Sequence, residues 1–322
     1  MKKIVVIFAI VVFLLAGCGS GKPGPANHVR IVLDWTPNTN HTGIYAALEK
    51  GYFNDEGLSV DILLPPEDGA LLLLALGQAE FAVDFQECLG PAIANSSLPV
   101  TAVAAIINHN TSGLMSLKPS GIKRPRDLTG KYFAAWETPV ITAIIRHIVE
   151  RDGGDFNNVT IIPNMATDAF SALETDVDSI WIYYAWDGIA AELRGTAIDY
   201  IDLGSVDPVL DFYTPVLVIN NQWAASNTEA AKKFIRALSR GYTYAMENPE
   251  DAALILLKYA PELDAALVKR SQAWLAPRYQ GDAKRWGEID PARWGGFYCW
   301  MYENGLLEKN IGEGGFTNEY LP

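Results

Sequence analysis

Val29-Arg-Ile-Val-Leu-Asp-Trp-Thr-Pro-Asn-Thr-Asn-His-Thr-Gly-Ile-Tyr-Ala-Ala-Leu-Glu-Lys-Gly51 is the stretch that decides the fold class. From Val29 to Asp34 the apolar residues Val29, Ile31 and Leu33 alternate onto one face, as in a strand. Thr36-Pro-Asn-Thr-Asn40 is a run of turn formers. From Thr42 to Lys50 the residues Ile44, Ala47 and Leu48 form a helical stripe, and Gly51 supplies the stop. Strand, polar loop and helix in that order make the first half of a βα unit. The rhythm continues with strands at Leu58–Leu64, Phe81–Phe85 and Val100–Ile107, and with helices at Gly69–Gly77 and Glu87–Asn95. It resumes with strands at Tyr132–Trp136, Val159–Ile162 and Ile180–Tyr184, and with helices at Val140–Arg151 and Asp168–Glu174. Such alternation predicts mostly parallel sheets covered by helices. One further apolar strand, Val216–Ile219, follows Pro215. From Thr228 to about Gly305 the pattern is helical, broken at Pro249, Pro261 and Pro277.

The two ends of the chain differ in kind from this middle. Lys2 and Lys3 precede an apolar run, Ile4 to Ala16, which is short of the roughly 20 residues a bilayer span needs. It suits the core of a secretory signal. The run closes in Leu15-Ala16-Gly17-Cys18, small residues before a cysteine, which resembles a bacterial lipobox. Residues 1–18 are therefore expected to be a lipoprotein signal in which Cys18 is acylated, and 19–27 a Gly/Pro tether. The formal charge is −13, and −15 once Lys2 and Lys3 are gone, which argues against nucleic acid as a partner. Hydrophobic residues make up 49% of the chain, enough for a large core, and the mature length suits two domains. Beyond Cys18 only Cys88 and Cys299 remain, and two buried free thiols are expected rather than a disulfide framework.

Several phrases carry a resemblance. Leu33-Asp-Trp-Thr-Pro-Asn-Thr-Asn-His-Thr-Gly43 with Gly51-Tyr-Phe-Asn-Asp-Glu-Gly-Leu58 looks like the opening of the NMT1/THI5-like family of periplasmic binding proteins. Asn110-Thr-Ser-Gly113, Tyr184-Ala-Trp-Asp-Gly188, Ala191-Glu-Leu-Arg-Gly195, Tyr213-Thr-Pro-Val216, Arg285-Trp-Gly-Glu288 and Phe316-Thr-Asn-Glu-Tyr-Leu-Pro322 extend the match over nearly the whole mature chain. The resemblance implies a type II periplasmic-binding-protein-like fold, two α/β lobes joined by two crossover strands with a ligand cleft between them. Residues 28–113 would begin the first lobe, 114–215 would form the second, and 216–322 would complete the first. It further implies the solute-binding part of an ABC importer, with permease and ATPase subunits as partners and the lipid anchor as the membrane contact. The implied ligand is a pyrimidine thiamin precursor such as formylaminopyrimidine. Another flat vitamin-like ring, riboflavin, is the alternative. No cofactor is implied for such a binder.

Ligands in open α/β sheets sit at the carboxyl ends of strands. Here those ends carry Asp34, Trp35, Asn38 and His41, then Gln86 and Glu87, then Asn110 and Thr111. In the second half they carry Trp136, Glu137 and Thr138, then Tyr183, Tyr184 and Trp186, then Tyr213 and Thr214, while Glu192 lies inside the helix one turn after Trp186 and Gly188. A flat aminopyrimidine needs a stacking partner and a few fixed polar groups in an apolar cleft, and this set supplies both. Ordinary alternatives stay open. Asp34 could instead bond backbone within its loop. At least one of Trp181, Tyr183 and Tyr184 is expected to be core. His109 could be a core or hinge residue, and Glu192 could be a solvated helix carboxylate.

The four histidines, His28, His41, His109 and His147, have no metal-site spacing, and no GxSxG or CxxC phrase occurs. One enzymatic relative matters. The fungal-type pyrimidine synthase of the same superfamily consumes its own histidine with bound pyridoxal phosphate. Resemblance to it would bring a lysine and a histidine just after Phe81–Phe85 and a cysteine-rich phrase near residue 212. This chain reads Asp84-Phe-Gln-Glu-Cys-Leu-Gly-Pro-Ala92 and Phe212-Tyr-Thr-Pro-Val216 instead. A binder rather than an enzyme is therefore expected. The Cys18→Ser form should move from the membrane fraction to the soluble fraction on cell fractionation. A variant that still sediments with membranes removes the lipid anchor from consideration.

Overall fold

The computed structural model describes residues 27–66, 69–136, 138–163 and 169–322. The lipobox cysteine Cys18 and the candidate Glu137 lie outside them. The chain begins with β1 (His28–Val32), α1 (Thr42–Glu49), α2 (Tyr52–Asp55), β2 (Ser59–Leu63), α3 (Ala70–Ala75), β3 (Phe81–Asp84), α4 (Gln86–Ala94) and β4 (Val100–Ala105). It crosses to β5 (Ser112–Leu117), β6 (Tyr132–Ala135), α5 (Pro139–Arg151), β7 (Thr160–Pro163), α6 (Ala169–Thr175), β8 (Ser179–Tyr183), α7 (Ile189–Arg194), β9 (Ile198–Asp202) and α8 (Leu203–Val206). It then returns through β10 (Val216–Asn220) into α9 (Asn221–Ser226), α10 (Thr228–Glu247), α11 (Pro249–Tyr259), α12 (Ala265–Leu275) and α13 (Pro291–Glu303).

Two five-stranded sheets result, ordered β2-β1-β3-β10-β4 and β7-β6-β8-β5-β9. Each has a parallel half and an antiparallel half. β1 pairs in parallel with β2 and β3, and β6 with β7 and β8. The crossover strands β10 and β5 run antiparallel to both of their neighbours. The expectation of mostly parallel sheets is corrected to this mixed arrangement. It follows from chain path, since a strand entered from the other lobe arrives at the opposite end of the sheet. Ser112 and Gly113 already pair with Tyr183 and Ile182, so the first crossover spans 106–111, a few residues before the 113/114 boundary.

Local chemistry explains the elements. All of Phe81–Asp84 and Val216–Asn220 are buried, because β3 and β10 lie inside the first sheet with helices on both faces. α10 buries Phe234, Ile235, Leu238, Gly241, Tyr242 and Ala245, one stripe of a twenty-residue amphipathic helix. Thr138 caps α5 by accepting from the Ile141 N–H at 3.2 Å. α13 packs Phe297 on Phe212 with centroids 4.2 Å apart, joining the C-terminal block to the second crossover, 207–215. Both remaining cysteines are free thiols, and Cys88 is exposed rather than buried because it faces out from the first turn of α4. None of the described helices is long and apolar enough to cross a membrane.

α1 and α10 approach closely because each presents a glycine at the crossing. A Cβ on Gly241 would overlap the Gly43 carbonyl and stand 2.8 Å from Ala47 Cβ, with backbone that cannot yield. Gly241→Ala should therefore destabilise the chain by about 1–3 kcal/mol in urea unfolding. Gly296→Ala, where a Cβ meets nothing within 4 Å, should leave the midpoint unchanged or slightly raised.

Candidate functional site

The carboxyl ends of β1 and β3 in one lobe and of β6 and β8 in the other meet at one place. Phe85, just past β3, stacks on Tyr183 of β8 with centroids 6.2 Å apart and planes 17° from parallel. Trp136, just past β6, lies 6.5 Å from the same Tyr183 ring. Trp35, just past β1, is 50% exposed, and Trp136 is 47% exposed. β1 and β6 hold the same place in their two sheets, so the two lobes offer an exposed indole at equivalent strand ends.

Under these rings lies a crowded set of carboxyls. Asp84 ends β3 and is 8% exposed. Burial pushes its carboxyl up to about 7; the Phe85 N–H, at 2.7 Å, opposes this and the charge of Asp34 adds to it. Glu87 is pushed up to about 8, first by burial and then by Asp84, against the pull of its own backbone N–H. Its Oε2 is occluded and has no hydrogen-bond partner. Burial also raises the Tyr183 phenol, with Glu87 next in weight. Thr214, at the start of β10, is fully buried beside Tyr183, and its hydroxyl has no partner of normal geometry. Among the described residues no group of three metal-ligating side chains forms.

The other candidates fall into three groups. Asp34, Asn38 and His41 bind one another. Asn38 N–H donates to His41 Nδ1 at 3.2 Å, which places the imidazole proton on Nε2, 2.5 Å from Asp34 Oδ1. Asn38 Oδ1 also accepts from the Asn40 N–H, so this trio shapes the loop that holds Trp35 outward. Gln86, Asn110, Thr111 and Tyr213 belong to the joints between lobes. Gln86 donates to the Trp294 carbonyl and accepts from the Tyr213 N–H. Tyr213 is fully buried beneath Arg293, and its hydroxyl accepts from the Asp290 N–H. Asn110 donates to the Leu210 carbonyl and accepts from Ser112, tying the crossovers together, and the Thr111 carbonyl accepts from Tyr184 N–H and the Tyr200 hydroxyl. Tyr184, Trp186 and Glu192 lie against α12. Tyr184 donates to Glu192 at 2.8 Å and its ring lies 5.4 Å from Trp274; Glu192 also pairs with Arg270 at 3.2 Å, and Trp186 packs on the first-lobe core. His109 sits in the hinge among Asp211, Asp282 and Arg293.

A recess of about 590 Å³ opens between the start of α5 and the end of α13, lined by Thr138, Pro139, Thr142, Ala143, Arg146 and Asn304. Its volume suits a small ligand. Neither Asp84 nor Glu87 lines it, so the recess does not contain the ring-and-carboxyl cluster.

The family model described as NMT1/THI5 like matches residues 38–252. The chain belongs to the NMT1/THI5-like family. Among its relatives is the formylaminopyrimidine-binding protein of Halalkalibacterium halodurans, 28% identical over 295 residues that cover 88% of this chain and 87% of that one. The family also includes enzymes. The 4-amino-5-hydroxymethyl-2-methylpyrimidine phosphate synthase of Legionella pneumophila is 26% identical, covering 76% of this chain and 77% of that one. Among solved structures the alkanesulfonate-binding protein of Xanthomonas axonopodis pv. citri superposes with a TM-score of 0.70 at 13% identity, over 90% of this chain and 98% of that one. The periplasmic nitrate-binding protein of Synechocystis PCC 6803 gives 0.71 at 14% identity, over 91% and 87%. That likeness is one of fold, and it is the type II binding-protein fold that the phrases of this NMT1/THI5-like chain imply.

Asp84 and Phe85 are not among the residues that the sequence singles out, whereas Tyr183 is read there as a strand-end aromatic or a core residue. The apolar pattern runs the strand one residue too far, to Phe85, and so hides Asp84 as its last member. The available signal is a carboxylate closing an otherwise apolar buried run, Phe81-Ala-Val-Asp84.

The Asp84 proton has a consequence for stability. The unfolded chain releases it near the ordinary value of 3.8 and the folded chain only near 7, so between these the folded state binds more protons. The stability contributed is full below the lower value and is lost as pH rises through the upper one. Asp84→Asn lacks this dependence. Relative to wild type it should gain about 1–4 kcal/mol between roughly pH 4 and pH 7, read by urea unfolding at a series of pH values.

Proposed function

We propose that this chain is the extracytoplasmic solute-binding component of an ABC importer, anchored through Cys18, and that it captures a flat, amine-bearing ring of the aminopyrimidine class such as formylaminopyrimidine. The observation that carries this is the meeting of aromatic faces from both lobes around buried carboxyls at the strand ends. A ring closed between two lobes is shielded on both faces, and polar groups at its rim read its edge. The relative that binds formylaminopyrimidine supports the ligand class. In this reading Trp35 and Trp136 supply stacking surface. Tyr184, Trp186 and Glu192 close one side through α12, with Glu192 or Glu137 accepting from the ring amine. Gln86, Asn110, Thr111, Tyr213 and Thr214 hold the joint from which the lobes close, and Asp34, Asn38 and His41 hold the Trp35 loop. Permease and ATPase subunits are the partners such a component needs.

Synthases among the relatives keep a second reading in view. Asp84–Ala92 contains neither lysine nor histidine, which favours binding over that chemistry. Isothermal calorimetry should give saturable binding of formylaminopyrimidine with the ligand recovered unchanged. Hydroxymethylpyrimidine phosphate formed with loss of a histidine would establish the synthase reading instead. Trp35→Ala and Trp136→Ala should each weaken binding about 10-fold, for the aminopyrimidine and its oxo counterpart alike, since stacking does not read the ring edge. Riboflavin bound more tightly than either pyrimidine would move the ligand to a larger ring.

A further inference from the structure

We propose that Glu87 also reads the ligand's edge, as a protonated carboxyl that donates to a ring nitrogen and accepts from the second N–H of the neighbouring exocyclic amine. This rests on the aminopyrimidine reading above and goes beyond it by assigning one residue, one protonation state and a two-point contact. The geometry comes first. Glu87 stands on the first turn of α4, shortly after the Phe85 ring that stacks across the lobes on Tyr183. Its Oε2 is occluded and unpartnered, and an unmet buried oxygen costs about 1–3 kcal/mol, so in a satisfied complex it finds a partner. Thr214, just before β10, is fully buried, and its hydroxyl lies toward the same Tyr183 phenol that feels the charge of Glu87. An unmet carboxyl oxygen close to an aromatic contact that spans the lobes marks a place where a polar ring edge fits.

The proton follows from the surroundings. The groups that act on Glu87 or feel its charge are Asp84 at the end of β3, Cys88 on α4, Tyr183 on β8 and Tyr298 on α13. Asp34 lies one shell further out, acting on Asp84 and Tyr183. All of these are neutral or acidic, and among the described residues no cation contributes to the shift of either carboxyl. Asp84, at about 7, gives up its proton before Glu87, at about 8, and its charge then helps hold the second proton in place. A carboxyl that keeps its proton offers one donor and one acceptor side by side. That is the complement of a ring nitrogen beside an N–H of an amine. An ionised carboxylate offers two acceptors and would face the lone pair of the ring nitrogen.

The test uses the mature chain with formylaminopyrimidine and its analogue dimethylated on the ring amine. A glutamine side chain also presents a donor beside an acceptor. Glu87→Gln should therefore stay within about 5-fold of wild type, while Glu87→Ala should lose about 10- to 100-fold. The dimethylated analogue, which cannot donate, should bind both wild type and Glu87→Gln about 10-fold or more worse than the parent. The pH profile needs no variant. Wild-type affinity should fall about tenfold per unit as pH rises past about 8, because free protein loses the proton that the complex keeps. Glu87→Gln should stay flat over the same range. Glu87→Gln binding as poorly as Glu87→Ala, or a wild-type profile flat to about pH 10, overturns the proposal while leaving the aminopyrimidine reading standing. No binding of formylaminopyrimidine by wild type at any pH overturns that reading and this inference with it.

Discussion

One buried side chain holds the parts of this molecule in register. Gln86 is fully buried, and all of its polar atoms are engaged. Its N–H donates to the Tyr213 carbonyl, its side-chain oxygen accepts from the Tyr213 N–H, its side-chain nitrogen donates to the Trp294 carbonyl, and its own carbonyl accepts from the Tyr298 hydroxyl. It thereby fastens the end of β3 to the second crossover and to α13. Each partner left unpaired in that setting would cost about 1–3 kcal/mol. The residues on either side inherit its position. Phe85 beside it stacks on Tyr183 of the other lobe, Glu87 lies between Tyr183 and Tyr298 in its electrostatic influence, and Thr214 follows Tyr213 on the chain.

The two lobes are joined on the same principle, by polar groups that are satisfied only when both crossovers are in place. Asn110 ties the first crossover to Leu210 on the second. Asp211 receives the Asn110 N–H at 2.9 Å and faces His109 at 2.7 Å, while Arg293 of α13 reaches both Asp211 and Asn108. Asp211 raises the His109 imidazole above its usual value, against the nearby Arg293 charge. The hinge is therefore a compact charged network built from both crossovers and the C-terminal block. Away from the crossovers the second lobe docks on α12 through Arg270 with Glu192, Trp274 against Tyr184, and the buried Ser271 hydroxyl donating to the Ala185 carbonyl.

Long periodic segments are legible in the amino-acid pattern, and two short ones in the second lobe are not. Val29–Asp34 and Thr42–Lys50 appear as β1 and α1 within two residues at each end. β5 and β9 escape the pattern. Ser112-Gly-Leu-Met-Ser-Leu117 holds no β-branched residue, and its glycine is demanded by packing, since a Cβ there would collide with the Ile201 carbonyl and the Tyr200 ring. Ile198-Asp-Tyr-Ile-Asp202 is a short edge strand with two acids, a composition that also reads as loop. Both are strands only because a partner lies beside them. Likewise Tyr213 is legible as an aromatic at a strand end, while its place beneath Arg293 depends on a helix 80 residues away in the chain.

The sequence by itself determined the strands and helices other than β5 and β9, and the set of strand-end residues from which a site is drawn; the two-lobed class was implied by the phrases that resemble the family. It did so because periodicity and turn chemistry are local, carried by neighbours along the chain. Only the tertiary structure decided which of those residues serve the joint and which face the cleft, and that Asp84 and Glu87 keep their protons to about 7 and 8. The physical reason is that burial, an unmet hydrogen bond and the field of a neighbouring carboxylate are properties of a place. That place is assembled here from β3, β8, β10 and α13, segments far apart in sequence, and no single one of them contains it.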